Sequence, residues 1–163
     1  MFDTASPPAP DVDPFDEAVL AVQALRDIVH NQAKALSKEY MDRRTELQKS
    51  DGDSFIAVVL NVRARNEDRS IQLEWGNAHY KNGKRIGYTV IGGKGRGEAD
   101  YSIQKLMSQT PAWAQELVKE TEIKARDLRE ALLRLTDADT AIKVATRRIK
   151  KFQDQLESPG DDE

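Results

Sequence analysis

Residues 128–156 read LREALLRLTDADTAIKVATRRIKKFQDQL, and this stretch decides the fold. Its apolar positions are Leu128, Ala131, Leu135, Ala138, Ile142, Ala145, Ile149, Phe152 and Leu156, spaced alternately three and four apart. No Gly or Pro falls between Pro111 and Pro159. A stripe this narrow is the seam of a coiled coil, because a helix packed on a broad core needs a wider apolar face. Thr110 offers an N-cap and Pro111 the first helical position. A helix from Pro111 to Ser158 would extend roughly 70 Å. Such a rod organises surfaces for partners and leaves little chain for an enclosed active site.

A second helix precedes it. Asp13 is a good N-cap, Pro14 fits the first turn, and Asp16 and Glu17 suit the positive end of the helix dipole. Apolar residues then recur from Phe15 and Ala18 to Tyr40 and Leu47, until Ser50-Asp-Gly-Asp-Ser54 breaks the pattern. The two long helices read as antiparallel partners. Between them lies β sequence. Phe55 to Arg65 alternates, with Ile56, Val58, Leu60 and Val62 on one face. Ser70 to Tyr80 alternates again, through Ile71, Leu73 and Trp75. Asn82-Gly83 is the strongest short hairpin signal, since a type I′ turn needs positive φ at both central residues. Arg85 to Ile91 then forms a third strand.

The expected fold is α+β: an antiparallel, coiled-coil-like hairpin of long helices with a three-stranded antiparallel β-meander at one end. A single domain is expected over residues 13–157, with a helix at 13–50, the meander at 54–92, a short helix at 98–108 and the long helix at 110–157. Residues 1–12 and 158–163 read as disordered acidic tails. One third of the residues are charged, a proportion suited to a long solvated rod. Without a cysteine there is neither disulfide frame nor thiolate chemistry. With no signal peptide at the start and no long apolar run, a cytoplasmic protein off the membrane is expected.

Catalytic constellations are sparse. His30 and His79 lie on different elements, without a neighbouring His or Cys at metal-ligand spacing, so no metal or cofactor is expected. The Gly92-Gly-Lys-Gly-Arg-Gly97 loop departs from a P-loop, because Lys94 is followed by Gly95 and Tyr88 stands where the first Gly belongs. It reads as a linker able to lie on phosphates. Acid pairs such as Glu120 with Glu122, or Asp137 with Asp139, read as helix-surface charges. Trp75, sharing a face with Ile71 and Leu73, reads as a structural anchor buried against a helix. Trp113 reads as the closure between sheet and rod.

Charge is segregated. The net charge is −3 and the pI about 5.5. Between Arg63 and Gly97, however, eight bases stand against three acids. Lys143, Arg147, Arg148, Lys150 and Lys151 form a second basic stretch without an acid. Basic hairpins with interleaved aromatics contact phosphate backbones well, though a short sheet also carries Lys and Arg simply for solubility. The candidate nucleic-acid-binding residues are Arg63, Arg65, Tyr80, Lys81, Lys84, Arg85, Lys94 and Arg96. Ile142, Ile149, Phe152 and Leu156 are the candidate homodimer interface, where the heptads outrun the first helix.

The order of elements carries a family resemblance. A helix is followed by Ile71-Gln-Leu-Glu-Trp75, a Lys/Arg/Gly-rich hairpin and Tyr101 to Leu106. Ala112-Trp113, Glu116-Leu117-Val118 and Thr121-Glu122 come next, with Arg126 and Arg129 beyond. Over roughly Ser54 to Leu135 this resembles the MobI group of conjugative transfer proteins. The resemblance implies a non-enzymatic DNA-processing accessory factor that recognises the origin of transfer and helps the relaxase act there. Its partners would be DNA and other mobilisation proteins. The competing reading is a coiled-coil adaptor or inhibitor from a mobile element or phage that binds only protein.

Overall fold

The computed structural model describes residues 13–51, 56–65, 70–92 and 99–157, of which residues 51, 65 and 70 are described by backbone alone. Helix α1 spans Pro14–Asp51 and helix α3 spans Gln115–Glu157. Between them run β1 (Val58–Arg65), β2 (Ser70–Lys81), β3 (Lys84–Val90) and the short helix α2 (Ile103–Ser108). The fold is α+β, with long helices and a three-stranded antiparallel sheet in the order β1-β2-β3.

The start of α1 follows from its sequence. Asp13 Oδ1 accepts from the Phe15 amide at 2.9 Å, satisfying one of the donors a helix leaves open at its first turn. Ion pairs link α1 to α3 at Arg26–Asp139 (3.7 Å), Glu39–Lys124 (3.0 Å) and Arg43–Glu120 (2.8 Å). The numbers rise along one helix as they fall along the other, so the helices lie antiparallel. Ala33, Leu36 and Tyr40 of α1 are buried in one cluster with Leu117, Val118 and Ala125 of α3.

Helix α1 also closes the edge of the sheet. Ser37 Oγ donates to the Leu60 carbonyl at 2.6 Å, and Tyr40 Oη to that of Val58 at 2.9 Å. Arg44 Nη1 donates to Ile56 and Val58 at 3.2 and 3.3 Å. These carbonyls face away from β2, and helical spacing brings residues 37, 40 and 44 past every second strand residue in turn. An edge strand that would otherwise template pairing is thereby occupied. Burial raises the Tyr40 hydroxyl above its ordinary pKa.

The β2–β3 turn has Asn82 at φ 52° and Gly83 at φ 74°, the left-handed pair that a type I′ turn requires. Beyond it, His79 faces Gly87 while Tyr80 faces Arg85, so β3 carries Ile86 as an extra residue in a bulge. On the inner face Trp75 is fully buried and meets Tyr40 edge-to-face, with ring centroids 5.1 Å apart. Trp113 is partly buried against the same cluster.

Two helix starts differ from the sequence reading. Thr110 does not cap the long helix; its hydroxyl donates to the Leu106 carbonyl at 2.8 Å. Pro111 instead precedes a 3₁₀ turn at Ala112–Ala114 that leads into α3. Helix α2 begins at Ile103, capped by Ser102, whose side chain accepts from the Lys105 amide. Its expected first turn is drawn out because α3 takes the backbone there: the Tyr101 amide donates to Glu122 at 3.3 Å and the Ala99 carbonyl accepts from Arg129.

Candidate nucleic-acid interface

The sheet face turned away from Trp75 carries Arg63, Tyr80 and Arg85 of the candidate residues. Register places Asn61 opposite Glu74, Arg63 opposite Gln72, Val59 opposite Gly76 and Ala78 opposite Tyr88. Alternation therefore puts Asn61, Arg63, Glu74, Gly76 and Tyr88 on one face. Gly76 is required there: a Cβ at this position would stand 2.5 Å from the Tyr88 ring, 3.1 Å from the Thr89 carbonyl and 3.3 Å from Asn61 Nδ2. The ring can approach the strand this closely because Gly76 has no side chain.

Arg85 completes this surface. Its guanidinium lies over the Tyr88 ring, 5.4 Å from the centroid, and Nη2 donates to Asn61 Oδ1. It crosses from β3 over β2 to β1, with the bulge at Ile86 re-aiming the chain beside it. Tyr88 Oη in turn donates to Glu74 Oε2 at 3.5 Å. Lys81 and Lys84 face each other across the turn, and Tyr80 is paired with Arg85 by register.

Arg63, Lys81, Lys84 and Arg85 are exposed, and none forms an ion pair with a described residue. The helical hairpin is different: Arg26, Lys38, Arg43, Lys124, Arg126 and Arg129 all have carboxylate partners. Arg65 ends β1, and only its backbone is described. Lys94, Arg96 and the glycine loop around them lie outside the described residues. Among the described residues, no group of three or more His, Cys, Asp or Glu could hold a metal ion. No helix among them is long and apolar enough to cross a membrane.

The acid pair at Glu120 and Glu122 requires a correction. Glu120 is a surface charge, whereas Glu122 is buried. Trp75 Nε1 donates to Glu122 Oε2 at 2.6 Å, and Arg129 Nη2 and the Tyr101 amide donate to Oε1. The Arg129 guanidinium also stacks on the Tyr101 ring at 4.9 Å. Burial, then the charge of Glu74, push the Tyr101 hydroxyl up to about 12. The signal was present in the periodicity, since Val118, Thr121, Glu122, Ala125 and Arg129 share one face of α3 at helical spacing.

Comparison with known families bears on this arrangement. The family model described as MobI protein matches residues 29–143, well over half of the chain. The chain belongs to the MobI family. Membership points to an accessory role in conjugative mobilisation. The match takes in the sheet, the Glu122–Arg129 pair and the distal part of α1, and stops before the last turns of α3. Neither the curated proteins nor the solved structures returned a match.

Of the candidate dimer residues, Ile142 is half-buried, while Ile149, Phe152 and Leu156 are exposed. Extending the register of the interhelical ion pairs sets Pro14 beside about residue 150. Residues 151–157 therefore run on past the start of α1. Arg147, Arg148, Lys150 and Lys151, at and just before this stretch, form no ion pair with a described residue.

Proposed function

We propose that this MobI-family chain is a non-enzymatic, DNA-binding accessory factor of conjugative transfer that helps a relaxase act at the origin of transfer. The observation that carries the reading is the unpaired state of Arg63, Lys81, Lys84 and Arg85 among the described residues, beside a helix–helix seam where Arg26, Arg43, Lys124 and Arg129 are matched. An unpaired surface cation displaces condensed counterions when it meets a phosphate, which favours binding and makes it salt-dependent. Lys94 and Arg96, which lie outside the described residues, belong to the same basic stretch of sequence and join the proposal on charge alone. Titrating duplex and single-stranded DNA at several salt concentrations tests this. Affinity should fall with a log–log slope near −0.9 per phosphate neutralised on duplex. Replacing Lys81, Lys84, Arg85, Lys94 and Arg96 with Gln should weaken binding and flatten that slope. A wild type that binds neither form at low salt removes the reading.

The proposal includes a homodimer through the C-terminal end of α3. Ile149, Phe152 and Leu156 are 42%, 61% and 65% exposed, and burying each would contribute roughly 1.5–3 kcal/mol. The same exposure favours the second reading, an adaptor or inhibitor that binds protein alone. Sedimentation equilibrium separates these outcomes: Ile149→Asp with Phe152→Asp should dissociate a dimer. A helical wild-type monomer at tens of micromolar excludes one.

A further inference from the structure

A cleft of about 300 Å³ opens where α1 meets β1, lined by Lys34, Ser37, Met41, Leu60, Asn61 and Arg85 among others. At about 30 Å³ per water it has room for a phosphate group and several waters. We infer that this cleft is a phosphate-binding site, in which Lys34 of α1 and Arg85 of β3 hold a backbone phosphodiester of nucleic acid against the edge of the sheet.

Three features carry the inference. Arg85 is oriented before any ligand arrives, by Asn61 Oδ1 on one side and the face of Tyr88 on the other. Both partners are neutral, so neither offsets the guanidinium's charge, and the nitrogens other than Nη2 make no hydrogen bond with a described residue. Holding a guanidinium with an amide oxygen and a ring removes rotamer entropy from the cost of binding without spending the charge. Asn61 can do this because it is itself fixed, 8% exposed on a strand whose preceding residue, Leu60, accepts from Ser37.

Lys34 supplies the second charge from the opposite wall. It is exposed at the cleft and has no ion-pair or hydrogen-bond partner among the described residues. The nearby acids of α1 are engaged elsewhere, Glu39 with Lys124 and Asp42 with Lys38. Glu74, opposite Asn61 by register, accepts from Tyr88 instead of pairing with Arg85. Two cations facing one polar cleft, one a planar fork and one a point charge, suit a phosphate better than a neutral ligand. Lys34 was no part of the sequence-derived set, because it lies on a helix far along the chain from the basic hairpin.

The occupant rests on the nucleic-acid reading above, so the experiment separates the two. The full-length chain is titrated with inorganic phosphate, with duplex DNA and with a poly-glutamate peptide at constant ionic strength. NMR follows the Arg85 Nε–Hε signal and the amides of residues 34, 60 and 61. Phosphate and DNA should both shift these signals, and Lys34→Gln should weaken phosphate binding about tenfold, the loss of one charge-assisted hydrogen bond. Because Lys34 is exposed on a helix, this variant should fold; Arg85→Lys, which keeps the charge and loses the fork, is the second variant. Lys81→Gln with Lys84→Gln should weaken DNA binding and leave the phosphate response intact. Signals that do not move with phosphate or DNA overturn the site. Signals that move with poly-glutamate and not with DNA overturn the phosphodiester occupant. Shifts with phosphate from a chain that binds no DNA keep the site and remove the nucleic-acid reading.

Discussion

Two arginine–tyrosine stacks lie on opposite sides of the sheet region, and they do opposite things. Arg129 stacks on Tyr101 at 4.9 Å, and Arg85 on Tyr88 at 5.4 Å. Arg129 is 4% exposed and shares its charge with buried Glu122, which also receives Trp75 and the Tyr101 amide. Its field is cancelled where it arises, and it serves to pin the segment before α2 onto α3. Arg85 is exposed and held by an amide oxygen and a ring. Its field is left for something outside the molecule. The contact geometry is nearly the same, and the identity of the third group decides whether the arginine supports the fold or addresses a ligand.

The largest expected effect comes from breaking the inner stack. Arg129→Met leaves Glu122 buried without its cation, and losing one member of a buried pair costs about 3–5 kcal/mol. Arg85→Met on the outer face should change stability by about 0.5 kcal/mol or less while lowering DNA affinity. Urea denaturation of both variants beside wild type measures the contrast. Equal losses would mean that the outer arginine is structural too. Adding Glu122→Gln to Arg129→Met should recover part of the loss, since the orphaned carboxylate is then neutral.

Gly76→Ala attacks the outer stack through its floor. The new methyl would collide with the Tyr88 ring at 2.5 Å, and the ring cannot move without releasing Arg85. Overpacking of this kind costs about 1–3 kcal/mol, smaller than the loss at Arg129. Unlike a purely structural defect, it should also weaken DNA binding in the fraction that remains folded. Unchanged affinity at reduced stability would show that the ring does not position the guanidinium.

These contrasts also mark how far the sequence could be read. The Asp13 cap and the Asn82-Gly83 turn were legible because local geometry alone demands those residue types. Long helices and alternating strands were legible from period. Glu122 reads as a surface charge because an acid on a charged helix is ordinarily solvated, and only its place on the Val118–Ala125 face says otherwise. Thr110 stands where a cap belongs, yet its hydroxyl turns back to Leu106. The bulge at Ile86 depends on a register between strands, which no single segment encodes. The convergence of Lys34 with Arg85 depends on α1 lying along β1, a tertiary fact with no local signature. Of the hairpin candidates, Arg63 and Arg85 lie on the face turned away from Trp75 and Lys81 and Lys84 pair beside the turn, whereas Lys94 and Arg96 fall outside the described residues.

A smaller effect separates the stacks by pH. Burial first, and Glu74 second, raise the Tyr101 hydroxyl from 10.0 to about 12. A folded-state value above the unfolded one means that the native chain holds this proton longer. The stability it contributes is complete below about pH 10 and is lost as pH rises through 12. The urea midpoint should therefore fall across that window, and Tyr101→Phe should make the fall shallower. Parallel curves for wild type and variant would remove burial as the cause.

The smallest stability effect belongs to Lys34→Gln, and its smallness is the point. The residue is exposed, has no ion-pair partner among the described residues, and substitution at such positions usually changes stability by less than about 0.5 kcal/mol. Its contribution should appear only in the salt dependence of DNA binding. Removing one phosphate contact lowers the slope of log affinity against log salt by about 0.9, so the variant should bind more weakly at low salt and converge on wild type as salt rises. Lys124→Gln serves as the matched control, because Lys124 already spends its charge on Glu39 at 3.0 Å. The control should leave the slope unchanged. If the two variants flatten it equally, affinity follows overall charge, and the distinction between paired and unpaired cations would carry no functional meaning.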